Sequence, residues 1–199
     1  MFETGLLLAG EVDPDHVRRQ LTRWANAGKV FKLRRGLYAL APPYQKVRPH
    51  PFVVANRMVP GSYVSLQSAL AHYTLIPETV PATTSVALDR PRRWTTPLGI
   101  YVFRYVQKAR LSGYHLLDLG SGPRAVVARP EKALLDLAYL TRHGDDEEYL
   151  QSLRLQNFEL LDPEVLDQEA QRFRKPKVRR AADQILQMIR EQGGRYEAR

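Results

Sequence analysis

Between residues 14 and 40 the chain reads PDHVRRQLTRWANAGKVFKLRRGLYAL, and its apolar period changes at one glycine. Before Gly28, Val17, Leu21, Trp24 and Ala25 recur at the spacing of a single helix face. After it the pattern alternates, with Val30, Leu33 and Leu37 set against Lys29, Lys32 and Arg34, as a strand pair requires. Asp13 is placed to cap the helix, Pro14 suits its first turn, and Asp15 favours the positive end of its dipole. Gly28 supplies the left-handed stop that a Cβ would oppose. Arg35-Gly36 is the expected hairpin tip.

The outer face of this helix carries Arg18, Arg19, Gln20, Thr22, Arg23 and Asn26, all able to donate to phosphates or base edges. Between Asp15 and Glu78 there is no acidic residue, while the span holds ten Lys or Arg. An ordinary solvated face mixes both signs, so this bias favours a polyanion as partner over the plainer reading of a solvated helix. A basic helix followed by a basic hairpin predicts a winged helix-turn-helix over residues 1–42, with the helix in the major groove and the hairpin along the backbone. Residues 2–9 are expected to form its preceding helix, capped by Thr4 and ended by Gly10. No further helix precedes it, so the back of this unit needs cover from the rest of the chain or from a second copy.

Residues 41–51 hold four prolines and read as an extended connector, with Lys46 and Arg48 still able to touch a phosphate backbone. A second, mixed domain is expected over residues 50–192. It should open with helices at 51–58 and 65–73, the second capped by Ser65, around a turn at Pro60-Gly61. Strands are expected at 83–88, 99–106, 114–119 and 124–128, giving a small, mainly antiparallel sheet of about four strands. Helices follow from Pro130, each opening on Pro, Asp or Glu, with a frayed tail at 193–199. The fold class expected is therefore α/β in the α+β sense.

The formal charge of +9 over 199 residues points to phosphate backbones or anionic surfaces as partners. With no cysteine there is no disulfide or thiolate chemistry, which fits a reducing cytoplasm. No apolar run approaches the ~18 residues of a membrane span, and the opening lacks the basic region of a signal peptide. Catalytic signals are weak, and no catalytic residue, cofactor or metal is expected. Gly120 to Pro123 read as a hairpin turn, since no lysine-serine pair follows and no helix opens there. Asp118, Glu131 and Lys132 have the wrong spacing for a nuclease site, and Glu131 reads better as a helix first turn. The five histidines are scattered, and Ser65 and Ser68 lack a glycine-flanked elbow. The acidic run 145–148 reads as a helix start, with a surface for a basic partner as the alternative. Arg90, Arg92 and Arg93 around Trp94 form a possible second basic surface. It is read either as a single-strand or RNA contact or as a solvated hairpin with Trp94 folded onto the core.

Three segments in this order, VRRQLTRWANAGKVFKLRRGLYAL, YVSLQSALAHYTLIPETVP and VVARPEKALLDLAYL, resemble the AbiEi-type antitoxins and related bacterial transcriptional regulators. The resemblance covers about residues 3–190. It implies a winged helix joined to an antitoxin domain, and a repressor acting on inverted repeats in its own operon. It also implies a co-encoded nucleotidyltransferase-like toxin, often not held in a tight complex. By position the DNA contacts fall on Arg18, Arg19, Gln20 and Arg23 of the helix and on Lys32, Arg34 and Arg35 of the hairpin. Some relatives act as solitary regulators. A palindromic operator would take a homodimer. A module that sequesters a protein partner without nucleic acid is the remaining alternative.

Overall fold

A computed structural model of the chain describes residues 1–9, 12–120 and 123–197, with side chains to residue 192. Strand β1 (Phe2–Glu3), helices α1 (Thr4–Leu7) and α2 (Pro14–Asn26), and strands β2 (Val30–Arg34) and β3 (Leu37–Leu40) come first. The strands form an antiparallel sheet in the order β1-β3-β2. Residues 2 and 3 are thus strand rather than helix, because Phe2 pairs with Tyr38 and stacks on its ring at 5.8 Å. Thr4 does not cap α1; Glu3 stands at the cap position without a side-chain bond. The expected stop at Gly10 lies outside the described residues.

Helix α2 forms where expected. Asp13 Oδ1 accepts the Asp15 N–H at 2.9 Å. Gly28 sits at φ +66, with Gly28 N–H donating to Ala25 and Lys29 N–H to Trp24, the paired bonds of a Schellman stop. Val17 and Leu21 are buried with Val30 and Tyr38. Trp24 departs from expectation and stays exposed: the face that packs follows Val17, Leu21 and Ala25 at i, i+4 and i+8, and Trp24 lies to one side of it.

The hairpin also differs in one respect. Val30, Leu33 and Leu37 are all buried, but not on one face. Val30 and Tyr38 meet α2, whereas Leu33, Leu37 and Ala39 enter the large core of the molecule. An odd spacing puts Val30 and Leu33 on opposite sides of a strand.

The rest of the chain contains α3 (Pro51–Met58), β4 (Tyr63–Val64), α4 (Leu66–His72), β5 (Ala82–Ala87), β6 (Arg92–Thr96), β7 (Gly99–Tyr105), β8 (Tyr114–Leu117) and β9 (Ala125–Ala128). Then come α5 (Pro130–Leu140), α6 (Glu147–Ser152), α7 (Pro163–Phe173) and α8 (Pro176–Glu197). Helix α8 carries the backbone through most of the expected tail; residues 198 and 199 lie outside the described residues. The turn at Gly120 to Pro123 likewise includes two residues outside them, though β8 and β9 on either side pair antiparallel.

The fold is mixed α+β. Among the described residues its main sheet has six strands in the order β6-β7-β5-β4-β9-β8, not about four. Three of its five strand pairs are antiparallel, as expected, while β5 runs parallel to β7 and β4 parallel to β9, so the sheet is mixed. The β5–β7 pair follows from β6, which turns back along the outer edge of β7, so β7 lies beside β5 in the same direction. Strand β4 is only two residues long, and where it ends the Asn56 side chain takes over, accepting from Val126 N–H at 2.7 Å and donating to Val126 C=O at 3.2 Å. Helix α3 packs on β4, β5 and β9, while α4, α5, α7 and α8 form a helical layer around α5.

Candidate nucleic-acid interface

On α2, Arg19 and Arg23 lie opposite the buried stripe, and Arg18 lies on its flank beside the hairpin. Arg18 and Arg19 keep about two thirds of their side chains exposed, Arg23 is exposed, and Gln20 is half-buried on the flank. Two of them have local partners. Arg18 Nη1 lies 2.9 Å from Asp15 and Arg19 Nη2 lies 3.6 Å from Asp13. These are exposed pairs, of the kind worth ~0–1 kcal/mol, which leaves both guanidiniums able to exchange partners.

The hairpin contributes three cations with two fates. Lys32 and Arg35 are exposed and line, with Arg18 and Thr22 of α2, a groove of about 500 Å³ between helix and hairpin. Arg34 turns the other way. Its guanidinium donates to the Arg35 carbonyl at 2.9 Å and to the Arg57 carbonyl, at the end of α3, at 3.4 Å. Arg34 thereby pins the hairpin tip to the larger core, a role hidden in a sequence where it stands as one of two adjacent arginines.

The Arg90, Arg92, Arg93 and Trp94 group is divided by the pleat of β6. Arg93 and Thr95 are exposed on one face, while Arg92, Trp94 and Thr96 are half-buried on the other. Trp94 meets Phe103 edge-on at 5.4 Å, and the Arg92 guanidinium lies 5.6 Å from the Trp94 ring centre. Arg92 also pairs with Asp89 at 2.7 Å. The indole is thus engaged within the protein, and Arg90 and Arg93 are the exposed cations of this group.

The other constellations resolve into structural roles. Glu131 accepts the Asp162 N–H at 2.9 Å, and Asp118 accepts the Gly120 N–H at 2.9 Å. Lys132 is fully buried and bonds Asp136, which also accepts from Tyr63 OH at 2.9 Å and Ser65 Oγ at 2.8 Å. The Lys132 ammonium rests 4.3 Å from the Phe173 ring centre. Sequence reasoning misses this buried network. Its signal is a Lys and an Asp at i and i+4 on a helix whose other residues after Glu131 are apolar or aromatic. Ser65 stands at the α4 cap position but spends its hydroxyl on Asp136, and Thr84 Oγ1 of the adjacent strand β5 accepts the Ser68 N–H at 3.1 Å. In the acidic run, Asp146 stands at the N-cap of α6 and Asp145 receives Arg180 at 2.6 Å.

His50 Nδ1 accepts the Phe52 N–H at 3.2 Å, capping α3. Burial holds its imidazole below the ordinary value. His72 is lowered by burial and by the neighbouring His50 and His115, and His115 by burial and Arg129. Among the described residues no three His, Asp or Glu side chains gather as a metal site would need, and no helix is long and apolar enough to cross a membrane. The chain matches no family model and no curated protein.

Proposed function

We propose that the chain is a sequence-specific DNA-binding repressor whose N-terminal segment is a winged helix-turn-helix, and that it is the antitoxin of a toxin–antitoxin pair. The observation that carries the DNA-binding part is the set of exposed cations on adjoining elements, with Arg18, Lys32 and Arg35 lining one groove and Arg19 and Arg23 exposed on α2 beside it. Helix α2 presents Arg19 and Arg23 outward, where a helix in the major groove needs its donors. The order β1-α1-α2-β2-β3, with the hairpin directly after α2, supports the winged reading. In this reading the protein is not an enzyme, acts in the bacterial cytoplasm on inverted repeats, and binds as a homodimer matched to their two-fold symmetry. The antitoxin part rests on the three segments that resemble the AbiEi-type family, and the partner it names is a co-encoded nucleotidyltransferase-like toxin.

The test is duplex binding by the full chain, read by fluorescence anisotropy on the DNA upstream of its own operon and on a scrambled duplex of equal length. Arg19→Ala and Arg23→Ala are expected to lose the preference for the upstream duplex. Equal affinity of the unaltered chain for both duplexes would end the sequence-specific reading. For the antitoxin part, co-expression with the adjacent gene product should relieve its growth arrest; an adjacent gene that causes no arrest argues for a solitary regulator.

A further inference from the structure

The groove between α2 and the hairpin has a floor of Leu8, Leu21 and Tyr38 and a rim of Arg18, Lys32 and Arg35, and among the described residues no carboxylate lines it. Its cations come from two separate elements, α2 and the hairpin, so their convergence is a product of the fold and not of local sequence. The tip that carries Arg35 is held in place, because Arg34 bridges the Arg35 and Arg57 carbonyls. Leu21 and Tyr38 are buried, so water is excluded from one side of the cationic rim, which strengthens its field on any anion that enters.

We infer that this groove is a phosphate seat, in which Arg18, Lys32 and Arg35 converge on one phosphate group. Phosphate fits because its oxygens lie in several directions and can satisfy a planar guanidinium fork and a lysine point charge together. Arg18 enters by exchanging its exposed partner Asp15 for a more highly charged one. The seat is separate from the outward face of α2, so it contributes affinity without sequence preference. This inference rests on the DNA-binding reading for the source of the phosphate, a duplex backbone; a free mononucleotide carries the same chemistry.

The experiment uses the full chain in two arms. In the first, duplex affinity is followed across a salt series for the unaltered chain, Lys32→Gln and Arg35→Gln, on the upstream and scrambled duplexes. Both altered residues are exposed, and circular dichroism checks that the variants remain folded. Each variant is expected to flatten the log-log salt slope by about 0.9 for each phosphate it no longer neutralises, equally on both duplexes. In the second, adenosine 5′-monophosphate is titrated at constant ionic strength and the amide resonances of Thr22 and Gly36 are followed. A flattened slope supports the seat with the DNA backbone as source. Amide shifts that vanish in Lys32→Gln support it with a free nucleotide as source. Unchanged slopes together with silent groove amides overturn it. Failure of the seat is distinguishable from failure of the DNA-binding reading, which is tested by whether Arg19→Ala and Arg23→Ala abolish the preference for the upstream duplex.

Discussion

Lys132 and Asp136 stand one turn apart on α5 with no exposure to solvent, and each ion answers the other. Asp136 accepts from three donors, and Lys132 adds a contact with the Phe173 ring. Removing one member therefore strands the other charge in the core. Asp136→Asn is expected to destabilise the chain by ~3–5 kcal/mol, measured by urea unfolding. The double change Lys132→Met with Asp136→Leu should recover much of that loss, since apolar replacements of a buried pair are often neutral. A single Asp136→Asn effect within ~0.5 kcal/mol, the range of surface changes, would show that the pair is not under this strain. His50 makes a second prediction at this scale. Its Nδ1 can accept the Phe52 N–H only while unprotonated. Burial lowers its folded value below the ordinary 6.5, so the unfolded chain takes the proton first. The stabilisation is complete above the ordinary value and is lost as pH falls below it. The unfolding midpoint should therefore drop between about pH 7 and about pH 5, to which the lowered His72 and His115 add. His50→Asn keeps a cap acceptor that does not titrate, and should make that drop smaller. An identical pH profile in the variant would rule His50 out as a source of the drop.

Glycines at two element boundaries separate backbone strain from crowding. Gly28 ends α2 at φ +66, and a Cβ there meets nothing within 4 Å. Gly28→Ala should cost only the left-handed conformation, ~1–2 kcal/mol in urea unfolding. Gly113 precedes β8 at φ +70, and its Cβ would fall 2.9 Å from the Lys132 Cγ. Gly113→Ala should cost more, because the obstructing chain is itself locked to Asp136. Equal effects would mean that α5 yields freely at Lys132. The contrast also separates the parts of the fold that are legible in the sequence from those that are not. The ends of α2, the hairpin tip and the proline-led helix starts are set by neighbours within a few residues, so local chemistry announces them. The placement of β6, the two-residue β4 and the exchange of Ser65 for Thr84 depend on pairings far along the chain, and no local period encodes them. The candidate interface divides in the same way. Exposure of Arg18, Arg19 and Arg23 follows from the helix period, whereas the turning of Arg34 toward α3 requires the larger core to be in place.

At the scale of the molecule, the hairpin is what joins the N-terminal segment to the rest. Among the described residues, Val17, Leu21, Val30 and Tyr38 make up the buried cluster on its α2 side, with Phe2, Leu7, Leu8 and Ala25 partly buried around it. Its other side delivers Leu33, Leu37 and Ala39 to the large core, where they stand beside the α3 and sheet residues. That side of the hairpin is thus covered within the chain. Residues 1–42 alone lose that cover and fall to the length at which domains seldom fold unaided. A 1–42 peptide is therefore expected to lack stable helix by circular dichroism, while in the full chain the α2 amides exchange slowly. Leu37→Ala should then act on both sides at once. It should lower the stability of the whole by ~2–5 kcal/mol and loosen α2 amides to the same degree as those of α3 in hydrogen exchange. If α2 kept its protection in Leu37→Ala while α3 lost its own, the two sides of the hairpin would be energetically separate. The arginines of α2 would then be carried by a unit that stands without the larger core.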